Sequence, residues 1–513
     1  MKLKSRISQI VSWILFLGVY LNDLRFLLKN GRFLLDSDMA SELLLADLLN
    51  REHSITGLSK NWYYSTELKV FQTNILYRIG LFLSPHNWLV ARTIGMALAL
   101  LIFAIGVMLI FRAVGLKNFA VFAAAICLLP HGGWYFWQTI FGGYYLPYIC
   151  FSVYSTALTI SAAKKEKKWL PELVLLILLG LASGLNGVKQ LMVFYAPYLL
   201  AIAFMLLMFI RGNAEKKESI LRSAQFRVVI MGFAATIASF LGFIVNSAIL
   251  SKYYYFTSYN EQKVSGDSMF KMLLDYIWSF GYASGKKVFS LQGVAALLGV
   301  LVGIATLVCA IRLFVRFNRL QVLEQYLTVI SAFSVGFCVF VFSYVGGEIQ
   351  YFQPVVPFGL FLILLDLRTE KYVLPFGRKL ACGLFCAVVC ITSLGTMKNE
   401  YNGPYHYYRA KPLMYAISDW LAIQGYNQGI ATSFWCANAV TELSDGRIEM
   451  WDIKNPEMVT HQWMQETAHD DTRPTGRFFY LCEKTEDPSC VLEAYPELVK
   501  IYEDEQFLVY GTK

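Results

Sequence analysis

The sequence has few charged residues for its length, and this shortage excludes an ordinary soluble domain. Only 16% of its 513 residues are Asp, Glu, Lys or Arg, whereas soluble proteins carry about a quarter. Hydrophobic residues make up 56%, and the mean hydropathy is +0.47. The 38 Phe, 31 Tyr and 11 Trp suit bilayer interiors and interfacial aromatic belts. This composition predicts a membrane protein.

Signals for metal or nucleic-acid binding are also missing. His53, His86 and His131 have no ligand spacing, which argues against zinc. The run Cys382, Cys386 and Cys390 lies on one helix face, but no His or acidic residue stands among them. We therefore predict no metal site. The formal charge of +9 does not indicate nucleic-acid binding, because the basic residues fall between apolar spans and no nucleic-acid motif is present.

Apolar segments long enough to cross a bilayer recur along the chain. The first, after MKLKSR, lacks an A-x-A-like cleavage site and is interpreted as a retained helix. We predict about eleven transmembrane helices, near residues 8–27, 89–112, 117–137, 144–163, 169–186, 190–211, 227–250, 291–313, 323–345, 353–367 and 379–397.

The basic residues between these segments predict the orientation. They alternate, so that one set of loops is basic and the short opposite loops near 131–143 and 346–352 contain no Lys or Arg. Because basic loops stay in the cytoplasm, we expect a multi-pass plasma-membrane protein with its N-terminus cytoplasmic and its C-terminus extracytoplasmic.

Three segments outside the membrane are then large: residues 28–88, 251–290 and the tail from 398. This divides the chain into a transmembrane domain, 1–397, and a soluble extracytoplasmic domain, 398–513. The pattern DMASELLLADLLN predicts a helix lying on the membrane, and STELKVFQTNILYRIGLFL predicts a second. In the tail, short apolar runs alternate with turn residues, which predicts a small α/β domain that acts as a lid or docking surface. Its Cys482 and Cys490 could pair.

An acidic cluster follows the first apolar segment. Asp36, Asp38 and Glu42 stand at the membrane surface, where a carboxylate is costly unless it is solvated or paired. Such a position suggests chemistry. The alternative is that Asp36 or Ser37 only caps the helix that follows.

The cluster and the layout together resemble the GT-C superfamily of integral-membrane glycosyltransferases, bacterial members related to protein mannosyltransferases and the lipid A aminoarabinose transferase. The likeness rests on the long first outside loop, its acidic start and the outside C-terminal domain. Asp36 and Glu42 match the family's spacing of an acidic residue and a Glu six residues later. Ser37 departs from the second acid that relatives often have, so either Asp36 or Asp38 could be the central carboxylate.

The resemblance implies inverting transfer of a sugar from a polyprenyl-phosphate-linked donor to an extracytoplasmic glycan, lipid or protein acceptor. A carboxylate would deprotonate the acceptor hydroxyl, with Asp36 the first choice and Asp38 the second. Cations at headgroup depth would bind the lipid phosphate. The substrate-binding candidates are Glu42, Lys60, Arg92, Tyr144, Lys189, Lys252, Lys263 and Glu348. No cofactor is predicted, although Asp36 and Asp38 could hold a divalent cation.

Two other functions remain open from the sequence. A transporter or flippase of lipid-linked glycans would move lipid without forming a glycosidic bond, but the helix interiors hold few charges. A non-catalytic envelope protein would depend on residues 398–513 and not on Asp36.

Overall fold

The computed structural model describes residues 2–165, 168–212, 223–256, 269–283, 285–345, 349–352, 354–369, 375–401 and 406–512. Helices dominate it. In chain order they are α1 Lys2–Leu34, α2 Ser37–Arg51, α3 Asn74–Leu83, α4 Trp88–Ala113, α5 Ala120–Leu128, α6 Gly133–Tyr135, α7 Leu146–Lys164, α8 Leu170–Gly184, α9 Ala196–Gly212, α10 Ala224–Ile244, α11 Met269–Ser279, α12 Leu291–Val315, α13 Val322–Val345, α14 Val355–Thr369, α15 Pro375–Tyr401, α16 His406–Ile423, α17 Phe434–Leu443 and α18 Ser489–Ala494. The strands are β1 Tyr63–Tyr64, β2 Tyr255–Phe256, β3 Gln428–Ala431, β4 Glu449–Lys454, β5 Val459–Thr460, β6 Phe479–Glu483, β7 Val499–Glu503 and β8 Phe507–Gly511.

Each of the eleven predicted spans coincides with helical structure. Among the described residues, eight helices are long and apolar enough to cross a membrane, or nine if a bent pair counts as one span. That pair, Lys117–Leu128 and Gly133–Phe141, bends by 101° around Pro130, which cannot continue a helix. The other two, α8 and α14, have 15 residues each, or about 22 Å, less than the ~30 Å apolar core. The protein is a multi-pass membrane protein.

The described chain divides into two compact units. The first unit comprises Met1–Asp23, Ala99–Ser247 and Asn260–Glu400, and the second comprises Leu24–Leu98, Ala248–Tyr259 and Tyr401–Lys513. Segments far apart in sequence therefore fold together in the second unit. The predicted boundary at residue 398 remains a prediction.

The first unit is built from apolar helices that pack closely. Helices α8 and α10 lie side by side, and Gly184 permits this, because a Cβ at that position would lie 1.9 Å from the carbonyl oxygen of Ser239. Helix α14 is buried along Val355–Asp366. A helix that is apolar all round and too short to span is expected to be enclosed by its neighbours.

The second unit contains a six-stranded sheet in the order β5-β4-β3-β6-β8-β7. Strand β3 pairs in parallel with β4 and β6, whereas β8 runs antiparallel to β6 and β7. Ile430 on β3 aligns with Trp451 and Tyr480 on its two neighbours, and these side chains form the core of the sheet with Ile453 and Phe478. The predicted small α/β domain in the tail is confirmed.

Helix α17 connects this sheet to the start of the chain. It packs against β3 and β4 and also against α2, which in turn contacts α3. Helix α2 matches the predicted DMASELLLADLLN helix. The second predicted helix was partly wrong, since α3 begins only at Asn74 and residues 65–73 are not helical. Leu68, Lys69 and Thr73 of that segment are buried, so a buried loop produced the apolar pattern.

Candidate functional site

The acidic cluster begins at the N-terminus of α2. Asp36 is the residue that caps this helix, with extended φ and ψ of −122° and 169°. Its Oδ1 accepts a hydrogen bond from the backbone N–H of Met39 at 2.8 Å. Asp36 therefore caps α2. This role does not exclude chemistry, because the half-buried carboxylate is also held in one orientation at the positive end of the helix.

Asp38 lies in the first turn of the same helix and is half-buried as well. Its backbone carbonyl accepts from the hydroxyl of Ser41 at 2.8 Å. Between the two acids, Ser37 is fully buried, and its hydroxyl accepts from the N–H of Ala439 on α17 at 3.3 Å. The first turn of α2 is thus anchored on α17, and both candidate bases are carried by it.

Arg92 forms a buried ion pair instead of lying at an open surface. Its Nε donates to Oε1 of Glu442 at 2.6 Å, and its Nη2 donates to Oε2 at 2.5 Å. Nη2 also donates to the carbonyl oxygen of Met39 at 2.7 Å, and Nη1 donates to the hydroxyl of Tyr77 at 3.2 Å. Asp36 lies close enough to interact electrostatically with both members of the pair. Arg92 therefore joins α4, α17 and the first turn of α2.

Glu42 lies one turn further along α2 and is buried. Burial raises the pKa of Glu42 to about 7, against the opposing effects of Lys69, the backbone N–H of Asn74 and Arg92. The side-chain amide of Gln72 also faces both carboxylate oxygens, with its nitrogen as the donor. Lys69 is the one lysine with a buried side chain among the described residues. Lys69 was not predicted as a site residue, because nothing in the sequence around it, which includes Glu67 and Gln72, indicates burial.

The raised pKa of Glu42 predicts a pH-dependent stability. The folded state holds this proton more tightly than the unfolded state, whose carboxyl has the ordinary pKa of 4.5. The contribution of Glu42 to stability therefore falls as the pH rises from 4.5 to 7, by on the order of 3 kcal/mol. Glu42→Gln removes this titration. Between pH 5 and pH 8, we expect the melting temperature of the variant to fall less than that of the wild type. Equal losses would contradict this assignment.

Two predicted phosphate ligands come together in the second unit. Strand β1 pairs with β2 so that Tyr63 aligns with Tyr255, which brings Lys60 beside the segment that follows Lys252. The ammonium of Lys60 lies 5.6 Å from the ring centroid of Tyr253. Both lysines are exposed. The pairing joins segments about 190 residues apart, so the sequence could not predict it.

A cluster of one cation and three tyrosines lies in the first unit. The ammonium of Lys189 is 4.9 Å from the ring centroid of Tyr351 and 5.7 Å from that of Tyr145. The ring of Tyr145 lies 6.4 Å from that of Tyr351 and 5.0 Å from that of Tyr144. Two predicted residues, Tyr144 and Lys189, thus belong to one cluster, which we call the Lys189 cluster. Tyr351 was missed.

The other sequence predictions concern two further substrate-binding residues, a metal site and a disulfide. Lys263 and Glu348 lie outside the described residues. Within the described ranges, no group of three His, Cys, Asp or Glu side chains could hold a metal ion. Cys482 and Cys490 are free thiols.

Comparison with known proteins identifies the fold. No protein-family model matches the chain, and its sequence matches no curated protein. Two crystal structures of ArnT from Cupriavidus metallidurans match it over nearly its whole length. ArnT bound to undecaprenyl phosphate has 12% sequence identity and a TM-score of 0.59, covering 97% of each chain. Apo ArnT has 10% identity and a TM-score of 0.59, covering 98% of each chain. ArnT is a lipid A aminoarabinose transferase of the GT-C superfamily. The fold of this chain is therefore the GT-C fold, as its sequence predicted.

Proposed function

We propose that this protein is an inverting membrane glycosyltransferase. It transfers a sugar from a polyprenyl-phosphate-linked donor to an acceptor outside the membrane. The observation that carries this proposal is the likeness, over 97% of both chains, to an ArnT structure bound to undecaprenyl phosphate. The acidic start of α2 supports it, since that helix presents Asp36 in a fixed orientation.

In the proposed reaction, Asp36 removes the proton from an acceptor hydroxyl as its oxygen attacks C1 of the donor sugar. The new C1–O bond forms while the bond between C1 and the phosphate oxygen breaks. The products are the glycosylated acceptor and free polyprenyl phosphate, and the proton passes from Asp36 to water. Asp38 is the second candidate for this role. Glu42 is proposed to bind the sugar and to orient the first turns of α2.

The leaving phosphate requires positive charge. We propose Lys189, Lys60 and Lys252 as separate candidates for this role, with Lys263 as a further candidate. Lys189 is supported by its two aromatic neighbours, Tyr145 and Tyr351, whose rings suit headgroup depth. Tyr144 and Glu348 are proposed to contact the donor. For Arg92 we propose a different role, because its guanidinium already donates to Glu442 and Met39. It positions α2.

The proposal is tested with purified protein and a panel of polyprenyl-phosphate sugars. Mass spectrometry follows free polyprenyl phosphate and the glycosylated acceptor. Release from at least one donor is the expected result and names the sugar. If no donor is cleaved by protein with a normal melting transition, while labelled lipid crosses vesicles, the protein is a flippase.

The Lys189 cluster gives a separate prediction. We expect Lys189→Met to raise the KM for the donor about 10- to 100-fold, since a charge-assisted contact contributes about 1.5–3 kcal/mol. The kcat should change less. Lys454→Met removes an exposed lysine from β4 and serves as the matched control. An unchanged KM with a lowered melting temperature would assign Lys189 a purely structural role.

A further inference from the structure

The second unit contains a cavity that the proposed chemistry does not use. Its volume is about 270 Å³, just below the range of small-ligand pockets. One wall is the later part of α2, with Leu44, Asp47 and Arg51. Other parts of the lining come from α17, β4 and the segment between β5 and β6. The lining also includes Trp62, Trp88, Thr441, Glu449, Glu466 and His469.

The charge of this cavity is unsuitable for phosphate. Three carboxylates line it, those of Asp47, Glu449 and Glu466, against one guanidinium, that of Arg51. Arg51 already pairs with Asp47 at 2.9 Å and with Glu466. An anionic ligand would meet a net negative wall. The cavity is therefore unsuited to the lipid phosphate of the donor, and a ligand that binds it is neutral or cationic.

The lining side chains suit a sugar ring. Carboxylates and amides accept and donate to hydroxyl groups, and Trp62 and Trp88 add rigid apolar surface beside them. Glu449 keeps half of its side chain exposed, at 53%, and its Oε1 lies 3.2 Å from Nε2 of His469. A small cavity with a few convergent polar groups around aromatic rings is the usual form of a small-molecule site.

The position of the cavity relative to Asp36 limits which sugar it holds. Leu44, Asp47 and Arg51 lie roughly 12, 16 and 22 Å from Asp36 along α2. Because both ends belong to one helix, this separation is fixed. A ring that contacts Leu44, Asp47 and Arg51 is therefore not the ring that carries the attacked hydroxyl. It is a more distant part of an extended acceptor.

We propose that this cavity binds a neutral or amine-bearing sugar unit of an oligosaccharide acceptor, remote from the transfer point. Calling this oligosaccharide an acceptor rests on the proposed glycosyltransferase function. Its binding to the cavity can be measured without any transfer reaction. It predicts that the enzyme distinguishes acceptors by a feature several sugars away from the reacting hydroxyl.

The test is a binding assay with the full chain in detergent on an array of neutral, amine-bearing and uronic-acid-bearing oligosaccharides. We expect neutral or amine-bearing chains to bind and uronic-acid chains to fail. Thr441→Phe, which fills the cavity from α17, should abolish binding. Glu449→Gln should weaken binding of amine-bearing chains about 10-fold. Glu497→Gln changes an exposed acid elsewhere in the same unit and is the control.

Three results would overturn the inference: no binding by the wild type, equal binding by Thr441→Phe with a normal melting temperature, or preferential binding of uronic-acid chains. The cavity assignment and the proposed transfer reaction can be disproved independently of each other. If binding is absent while a donor is cleaved, only the cavity assignment is wrong. If oligosaccharides bind at the cavity but no donor is cleaved, the transfer reaction is wrong and the site belongs to a glycan-binding protein.

Discussion

Asp36→Asn is expected to abolish sugar transfer while leaving the protein folded. The side-chain oxygen of Asn can accept the same hydrogen bond from the N–H of Met39, and Asn and Asp are equally good helix caps. The variant therefore keeps the start of α2 and loses only the group that takes a proton. General-base catalysis contributes about 10²–10⁴-fold, so kcat should fall by that factor with little change in melting temperature.

Comparison with other substitutions separates capping from catalysis. Asp36→Ala loses both roles, so it should be inactive and also less stable by ~1 kcal/mol. Asp36→Ser restores a cap without a base, so it should regain stability but not activity. Asp419→Asn, at an acid with a side chain 46% exposed on α16, controls for the loss of one negative charge.

Asp38→Asn decides between the two candidate bases. If Asp36 is the base, the Asp38 variant retains measurable turnover; if Asp38 is the base, the outcomes are reversed. Release of polyprenyl phosphate from a donor that the wild type cleaves is the measurement in both cases. Full activity in both single variants would remove this mechanism.

The membrane helices could be predicted from sequence because the apolar core of a bilayer allows very few backbone conformations. Within an apolar core every backbone N–H and C=O must bond inside its own segment, so a long apolar run is a helix. Helices α4, α7 and α12 are long apolar runs of this kind. For α8 and α14, with 15 residues each, apolar composition alone does not show whether the helix spans the bilayer.

The site was only partly predictable, for a different reason. Asp36, Asp38 and Glu42 stand together in sequence and share one helix, so their proximity could be inferred from helical spacing. Glu442 is 350 residues from Arg92, and nothing local indicates that the two meet. Lys69 was placed in the part of a predicted helix that is not helical, residues 65–73, because a buried loop can show the same apolar pattern.

The Arg92–Glu442 pair gives the prediction with the largest effect on stability. Both side chains are nearly inaccessible, at 3% and 5% exposure, and removing one partner leaves a buried charge unpaired. Breaking such a pair costs about 3–5 kcal/mol. We therefore expect Arg92→Met or Glu442→Gln to lower the melting temperature by roughly 6–20 °C.

The double variant Arg92→Met with Glu442→Leu tests the electrostatic origin of this loss. With neither charge present there is nothing to leave unpaired, and apolar pairs of similar volume often replace buried ion pairs at little cost. The double variant should thus be more stable than either single variant, by an amount that the mutant cycle measures. Additive losses would show that the pair matters through packing alone.

The activity of the double variant then separates the two roles proposed for Arg92. A phosphate ligand is lost in every variant that lacks the guanidinium, so the KM for the donor should rise in the double variant even when its fold is restored. A positioning residue acts through Met39 and the first turn of α2, so its loss should lower kcat and leave the KM nearly unchanged. Because Arg92 already donates to Glu442 and Met39, we expect the second result.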